Sequence, residues 1–511
     1  MARTELARGR NMKLKPGGGI MPQRLKFFAL FAVISLFPLG FAKDYDKGDK
    51  EKNSVDFEVD GSIRYRYEYW QQHPFLWSGV AFPGFGFFGS DVFNHNYNNW
   101  HLLRSRIGVK ASLNEDKFAY IQFQDSRYFG WDAAFGYQGF DAMTPDLHNY
   151  NDNGFFGVTQ AYMQVNRLWD TPFGLKIGRQ FLEYDDQKLV GSDDWSNYGQ
   201  SFDAIKLMFR HEYFDGDLFY SQLWPFYPVD DIYGNINFFG FHGTAKFTEG
   251  HTWSGYLYGY RDGNLGVPGG FGFITDPNED PFPVTDTSKT LLWTLGTRAE
   301  GEIGGTGLGY AGEFALQFGN WYQTDVSAFM FELDAWYKFK EVTSQPYFGA
   351  GFTYASGDDS ADGDKNTFVR LFPSPHKHLG YMDLVGMQNI MSLELKAGVT
   401  PVQQLSLQAA FSFFWLNEER DAWYGAYGSR FEVDGDGGTM GRDSVWTSKT
   451  LGNELDFSLK YKYNGGLWFK AGWSHFFTGS ALQGLVIDDA SATKVDLEDP
   501  NWIYIQTGLD F

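Results

Sequence analysis

From Val55 to Trp70 the chain alternates residue by residue. Val55, Phe57, Val59, Gly61, Ile63, Tyr65, Tyr67 and Tyr69 share one face, and Asp56, Glu58, Asp60, Ser62, Arg64, Arg66 and Glu68 share the other. A period of two is that of a β-strand with one face toward an apolar phase and one toward water. The chain ends in the same way. Asn501, Ile503, Ile505, Thr507, Leu509 and Phe511 fall on one side of the last strand, and Gln506, Gly508 and Asp510 on the other. The alternation recurs near 99–113, 117–127, 157–167, 173–181, 202–212, 216–225, 236–247, 252–262, 289–300, 308–320, 326–338, 345–356, 387–398, 404–416, 451–463 and 467–478. With the two end segments, this predicts about eighteen strands. The pattern is faintest over 236–262, where Gly and Tyr blur it.

A soluble sandwich also alternates, but its polar face is exterior and its apolar face is a closed core. Long strands with a wholly charged second face and a run of Tyr at one end fit a barrel wall in lipid better. The connections agree. Asn114-Glu115-Asp116, Asp170-Thr171-Pro172, Thr248-Glu249-Gly250 and Asn464-Gly465-Gly466 are tight turns. Between them run long polar or Gly/aromatic loops at 71–98, 128–156, 263–288, 357–386, 417–450 and 479–499. The expected fold is all-β: a transmembrane antiparallel β-barrel of about 18 strands, with short periplasmic turns, long extracellular loops and both termini on the periplasmic side.

Arg24 and Lys26 precede an apolar run from Phe27 to Phe41 that ends in Gly40-Phe41-Ala42. This is the layout of a secretory signal peptide cleaved after Ala42, with Met21 a better initiator than Met1. Residues 1–42 are therefore read as leader and 43–511 as one barrel domain in the bacterial outer membrane. No later apolar stretch reaches the roughly 20 residues that a membrane helix needs. The leader holds seven basic residues and one acid, so its removal takes the net charge from −21 to −27. That balance argues against nucleic acid as a partner. The absence of cysteine excludes disulfides and thiolate chemistry. Aromatic residues make up 19% of the chain, as interfacial girdles would require.

The stretch Ile177-Gly178-Arg179-Gln180-Phe181-Leu182-Glu183-Tyr184-Asp185-Asp186-Gln187-Lys188-Leu189-Val190-Gly191 continues into Asp194-Trp195 and Ser201-Phe202-Asp203-Ala204. It is flanked by Leu103-Arg104-Ser105-Arg106, Gln124-Asp125-Ser126-Arg127, Gly452-Asn453-Glu454-Leu455-Asp456 and Ala471-Gly472-Trp473-Ser474-His475-Phe476-Phe477. Together these segments resemble the alginate-export family of outer-membrane barrels across most of the mature chain. The resemblance implies eighteen strands and passive export of an anionic polysaccharide through a positively lined pore. The chain departs from the alginate exporter at Asn464-Gly465-Gly466, a minimal turn where that exporter has a long periplasmic plug.

Alternation alone places Arg64, Arg66, Arg104, Arg106, Lys110, Lys176, Lys206 and Arg210 on the inner face of the first six strands, with Arg127 and Arg179 at strand ends. A barrel of this size keeps an aqueous channel. Guanidinium forks pair with carboxylates, so these ten residues are the candidate pore and substrate-binding set. Each can also pair with a wall acid such as Asp56, Glu58, Glu68, Glu332, Asp334, Glu394, Glu454 or Asp456. Lys396, Lys460, Lys462 and Lys470 lie on acid-bearing late strands, where structural pairing is expected. Glu183, Asp185, Asp186, Asp194 and Asp203 are the candidate constriction acids. Two readings stand side by side for Glu183, Asp185, Asp186 and Asp194: they pair with Arg127 or Arg179 and hold loop 183–200 in the pore, or they belong to an ordinary polar extracellular loop.

Asp358-Asp359-Ser360-Ala361-Asp362-Gly363-Asp364 and Asp434-Gly435-Asp436-Gly437 carry the carboxylates of a loop Ca²⁺ site, but neither has the spacing and closing Glu of the calcium-loop pattern. Solvated loops are the expectation, with no cofactor and no metal. His73, His95 and His148 lie in loops, His376 and His378 form a loose pair, and His475 falls on the lipid face; no H-E-x-x-H or G-x-S-x-G occurs. An enzyme is therefore not expected. The expected partners are outer-membrane lipid and lipopolysaccharide, the barrel assembly machinery, and an anionic polysaccharide or small anions. A general or anion-preferring diffusion porin is the alternative.

Overall fold

The computed structural model describes residues 55–71, 97–129, 154–223, 236–262, 289–321, 324–359, 364–428, 430–431, 448–482, 485–486, 494–495 and 499–511. The leader, the histidines at 73, 95 and 148, the acidic run at 434–437 and half or more of five of the six long loops lie outside them.

Eighteen antiparallel strands form one sheet. They are β1 (Asp56–Gln71), β2 (Tyr97–Asn114), β3 (Lys117–Phe129), β4 (Gly154–Val165), β5 (Phe173–Gln180), β6 (Phe202–Arg210), β7 (Phe214–Leu223), β8 (Ile236–Thr248) and β9 (His251–Asp262). The series continues with β10 (Thr290–Glu302), β11 (Leu308–Trp321), β12 (Thr324–Lys338), β13 (Tyr347–Ala355), β14 (Ile390–Val402), β15 (Leu405–Leu416), β16 (Thr450–Lys462), β17 (Leu467–Thr478) and β18 (Asn501–Asp510). Each strand pairs with its chain neighbours, and β18 pairs with β1, with Ser62 opposite Asp510 and Gln71 opposite Asn501. The sheet therefore closes and has no edge, which satisfies every ladder within lipid. Phe511 completes the seam: its backbone exchanges two hydrogen bonds with Gly61, at 2.8 and 2.9 Å.

The alternation read from the sequence sets the two surfaces. Phe57, Val59, Ile107, Leu218, Leu333, Phe348 and Ile505 stand exposed on the outer wall. Trp169, Tyr213, Phe339 and Tyr463 mark the short-turn rim, where amphipathic rings sit well at a membrane surface. Gly466, at φ +84°, makes the β16–β17 turn possible, because a side chain there would meet the backbone of Asp510.

The buried apolar cluster lies inside the barrel. It joins Leu182, Leu189 and Val190 with Phe368, Val369, Leu371, Phe372 and Leu384, and packs them on wall residues such as Phe202, Phe238, Trp321 and Phe414. Two loops contribute it, 181–201 between β5 and β6 (loop A) and 356–389 between β13 and β14 (loop B). Residues 360–363 of loop B lie outside the described residues. Both loops leave long-loop ends of strands and turn back into the lumen.

Candidate functional site

Loop A is fixed on the seam side by guanidinium groups. Arg64 on β1 stands beside Arg104 on β2 in register. Arg64 donates to the carbonyls of Asp194 and Ser196 at 2.6 and 3.0 Å, and Arg66 to that of Trp195 at 2.8 Å. Arg104 donates to the same two carbonyls and to Asp194 Oδ1 at 2.8 Å; Arg106 reaches that oxygen at 2.6 Å. Gln124 and Ser126 of β3 hold the carbonyls of Asn197 and Tyr198. Although burial works against it, Arg104, Arg106 and Arg64 hold the Asp194 carboxyl below its ordinary range.

The other half of loop A meets the opposite wall. Lys188 is almost fully buried and pairs with Asp186 at 2.9 Å and with Glu332 of β12, with Glu313 of β11 at 3.9 Å. Arg298 of β10 reaches Asp186 at 3.0 Å. Against the cost of burial, Lys188 and Arg298 keep the Asp186 carboxyl well below its usual range. Asp185 accepts a hydrogen bond from Ser254 of β9 at 2.6 Å, and Glu183 one from Ser192 at 2.5 Å. Tyr184 stacks on His242 of β8.

Loop B locks onto loop A. The Gly191 N–H donates to the Phe372 carbonyl at 2.7 Å, and the Phe372 N–H to the Leu189 carbonyl at 2.8 Å. Ser374 Oγ accepts from the Asp193 N–H and donates to Gln187 Oε1, each at 2.8 Å. Trp195 is held between the Arg66 guanidinium and the His376 ring. On the wall, Glu454 of β16 accepts from the N–H groups of Tyr381 and Met382 at 2.5 and 2.9 Å. Gly380, at φ +89°, leaves the room this needs, since a Cβ there would lie 2.6 Å from the Glu454 carboxylate. His378 lies beside Lys188, and burial first, then that ammonium, pull its imidazole down to about 3 and keep it neutral.

Below the two loops lies a cavity of about 720 Å³, lined by Ser192, Asp194, Trp195, Ser374, His376 and Lys377 of the loops on one side and by the β16–β17 turn on the other. The lumen is thus narrowed by a cross-piece with a polar chamber on its short-turn side.

Among the sequence-derived candidates, Arg64, Arg66, Arg104, Arg106, Lys110, Lys176, Lys206 and Arg210 face the lumen. Lys110 pairs with Glu58 at 3.1 Å, and Lys206 and Arg210 share Asp217 at 3.0 and 2.6 Å. Lys176 sits 3.7 Å over the Tyr162 ring. Arg127 and Arg179 do not face the pore. They share the outer face of their strands with Phe123 and Ile177, and bind Asp125 at 2.7 Å and Asp203 at 2.8 Å. Asp203 accordingly belongs to that exterior pair and not to the constriction. The expected pairing of the loop acids with Arg127 or Arg179 is replaced by Arg104, Arg106, Lys188 and Arg298. Of the late lysines, Lys396 pairs with Glu394 at 2.6 Å. Lys460, Lys462 and Lys470 make no ion pair among the described residues, against the expectation of structural pairing. Lys188 and Arg298 were not singled out from the sequence, and His376 was read only as half of a loose loop pair with His378. Lys188 lies within the quoted motif, which was the one available signal. Among the described residues no three His, Asp or Glu side chains converge as a metal site would need.

The sequence profile described as "Alginate export" matches residues 93–495. This chain belongs to the alginate export family. No curated protein matches it. Its fold is similar to crystal structures of Acinetobacter baumannii OccAB1 (11% identity, TM-score 0.53, covering 91% of this chain and 99% of that one) and Pseudomonas aeruginosa OccK11, or OpdR (12%, 0.51, 89% and 96%). It is also similar to Pseudomonas aeruginosa OpdK with vanillate (9%, 0.50, 89% and 98%). Family and fold are those of outer-membrane channels, and the lipid-facing wall described above accords with that environment.

Proposed function

We propose that this channel passively exports an anionic polysaccharide, an alginate-like uronate polymer or oligomer. The observation that carries the reading is the guanidinium ladder of Arg64, Arg66, Arg104 and Arg106, set on adjacent strands at the constriction of a chain whose net charge is −21. Forks in such an array already hold one carboxylate, that of Asp194, and the same geometry suits a uronate. Insertion by the barrel assembly machinery, and acid loops sharing divalent ions with lipopolysaccharide, belong to the same reading.

A second reading, a general or anion-preferring diffusion porin for small solutes, is favoured by two facts. The two loops occupy much of the lumen, and one protein of similar fold was crystallised with vanillate, a small carboxylate. Planar-bilayer reversal potentials in a salt gradient test the proposal. An exporter is anion-selective and blocked by oligouronates, and Arg104→Glu with Arg106→Glu weakens both. Indifference to oligouronates favours the small-solute porin, of the anion-preferring kind if the channel is anion-selective and of the general kind if it is not.

A further inference from the structure

Lys460 and Lys462 on β16 and Lys470 on β17 project into the lumen, where Lys460 and Lys462 are exposed to its water. Their neighbours on the sheet do not compensate them. Lys460 stands opposite Lys470 on one side and Ser406 on the other, Lys470 opposite Gln506, and Lys462 opposite Trp468. Like charges directly opposite weaken a sheet, so the wall gains nothing from this arrangement. All three line the 720 Å³ cavity together with Lys377 from loop B. Seven cationic side chains and three carboxylates line that space, the inverse of the chain's overall balance. Three of the cations, Arg64, Arg104 and Arg106, are engaged with loop A. The acids are engaged as well, Asp194 with those arginines, Glu183 with the Ser192 hydroxyl at 2.5 Å and Asp510 with the Trp468 indole N–H at 2.9 Å. The cations of this chamber that loop A does not hold are the lysines.

We propose that Lys460, Lys462 and Lys470, joined by Lys377, form a loading site for a polyvalent carboxylate, two or more uronate residues of one chain, on the periplasmic side of the constriction. The inference rests on the reading of the channel as a path for anionic saccharides and assigns where the polymer is first held. An ammonium on a flexible stem is strongly hydrated and makes a weak contact in water. Several such contacts made together favour a chain with repeated charges over a solute with one, and each is weak enough to let the chain move on. Trp468 adds a ring face beside Lys470, which lies 5.2 Å from its centroid.

The test is current block in planar bilayers, with a uronate tetramer or monomeric glucuronate added to the compartment facing the short turns. For the wild-type channel the tetramer blocks at far lower concentration than the monomer. In Lys460→Gln/Lys462→Gln/Lys470→Gln its blocking concentration rises about tenfold, while Lys396→Gln, which removes a lysine already paired with Glu394, leaves it unchanged. Should the triple variant not insert, Lys470→Gln alone weakens the block about threefold. A heat-modifiable triple variant that is blocked like the wild type overturns the site, as does equal sensitivity to tetramer and monomer. A wild-type channel that is not anion-selective fails earlier, at the reading on which the site rests.

Discussion

The rings of Trp195 and His376 lie face to face, with centroids 3.6 Å apart and planes 10° from parallel. One ring comes from loop A and the other from loop B, and the Asp383 carboxylate accepts from His376 Nδ1 at 3.0 Å. The stack is therefore a clasp between two loops that leave the wall eight strands apart. Trp195→Ala removes the clasp together with its seat for Arg66. The expected outcome is a larger mean single-channel conductance with more current fluctuation, read in planar bilayers. Unchanged conductance would show that the backbone ladder alone closes the lumen.

Lys188 offers a sharper energetic test. Its buried ammonium serves Asp186 and Glu332 directly and lies 3.9 Å from Glu313. Lys188→Met leaves those carboxylates short of a counter-charge, at a cost of about 3–5 kcal/mol to loop docking. Limited proteolysis of the folded barrel is expected to cut loop A in the variant and spare it in the wild type.

Asp193 gives the constriction a pH dependence. Burial, then the nearby Asp383, raise its carboxyl to about 7. Arg66, Asp194, Arg370 and Tyr427 also act on it electrostatically. The docked value lies above that of a free carboxyl, so the neutral acid favours the docked state. That stabilisation is complete below about pH 4 and is lost as pH rises through about 7. Current fluctuation is expected to grow between about pH 4 and pH 7 and to level off above that, and Asp193→Asn is expected to flatten the response.

Glu454 holds the far tip of loop B through two backbone N–H groups. Glu454→Ala leaves both donors without a side-chain acceptor, at about 1–3 kcal/mol each when buried; Glu454→Gln keeps an acceptor and is expected to behave closer to the wild type. The two variants should separate in amide hydrogen exchange at residues 381 and 382. Equal exchange in both would remove Glu454 as the anchor.

The lack of cysteine makes the loop junction open to cross-linking. Val190 and Phe372 form a parallel β-bridge, so cysteines placed there meet as the sole thiols of the chain. If the joined loops are the resting state, the oxidised double variant conducts as the wild type does and reduction changes little. A large fall in conductance on oxidation would mean that the loops rest apart.

The wall was legible in the sequence because period-two alternation is local. Each strand carries its own record of which face meets lipid, and Val55 to Trp70 needs no partner to be read. The same rule applied to Ile177 and Arg179, or to Phe123 and Arg127, places both arginines outside, and treating them as strand-end residues overlooked it. The cross-piece was legible only in part. The motif from Gln180 to Asp194 marked the loop, but its partners lie far away in the chain: Arg64 meets Asp194 across 130 positions, and Gly191 meets Phe372 across 181. The late lysines misled for a related reason. Acids are plentiful on their strands, but Glu394 sits beside Lys396, and Glu454 is turned to the backbone of loop B.

The seam between β18 and β1 has a consequence for biogenesis. Loop A takes its grip from Arg64 and Arg66 on the first strand, Arg104 and Arg106 on the second and Glu332 on the twelfth, so it seats only in a cylinder sewn shut in the right alignment. A slip of one residue at the seam would turn the first-strand arginines toward lipid. The seated loop is in this sense a gauge of correct assembly, and a misaligned copy would betray itself as a leak.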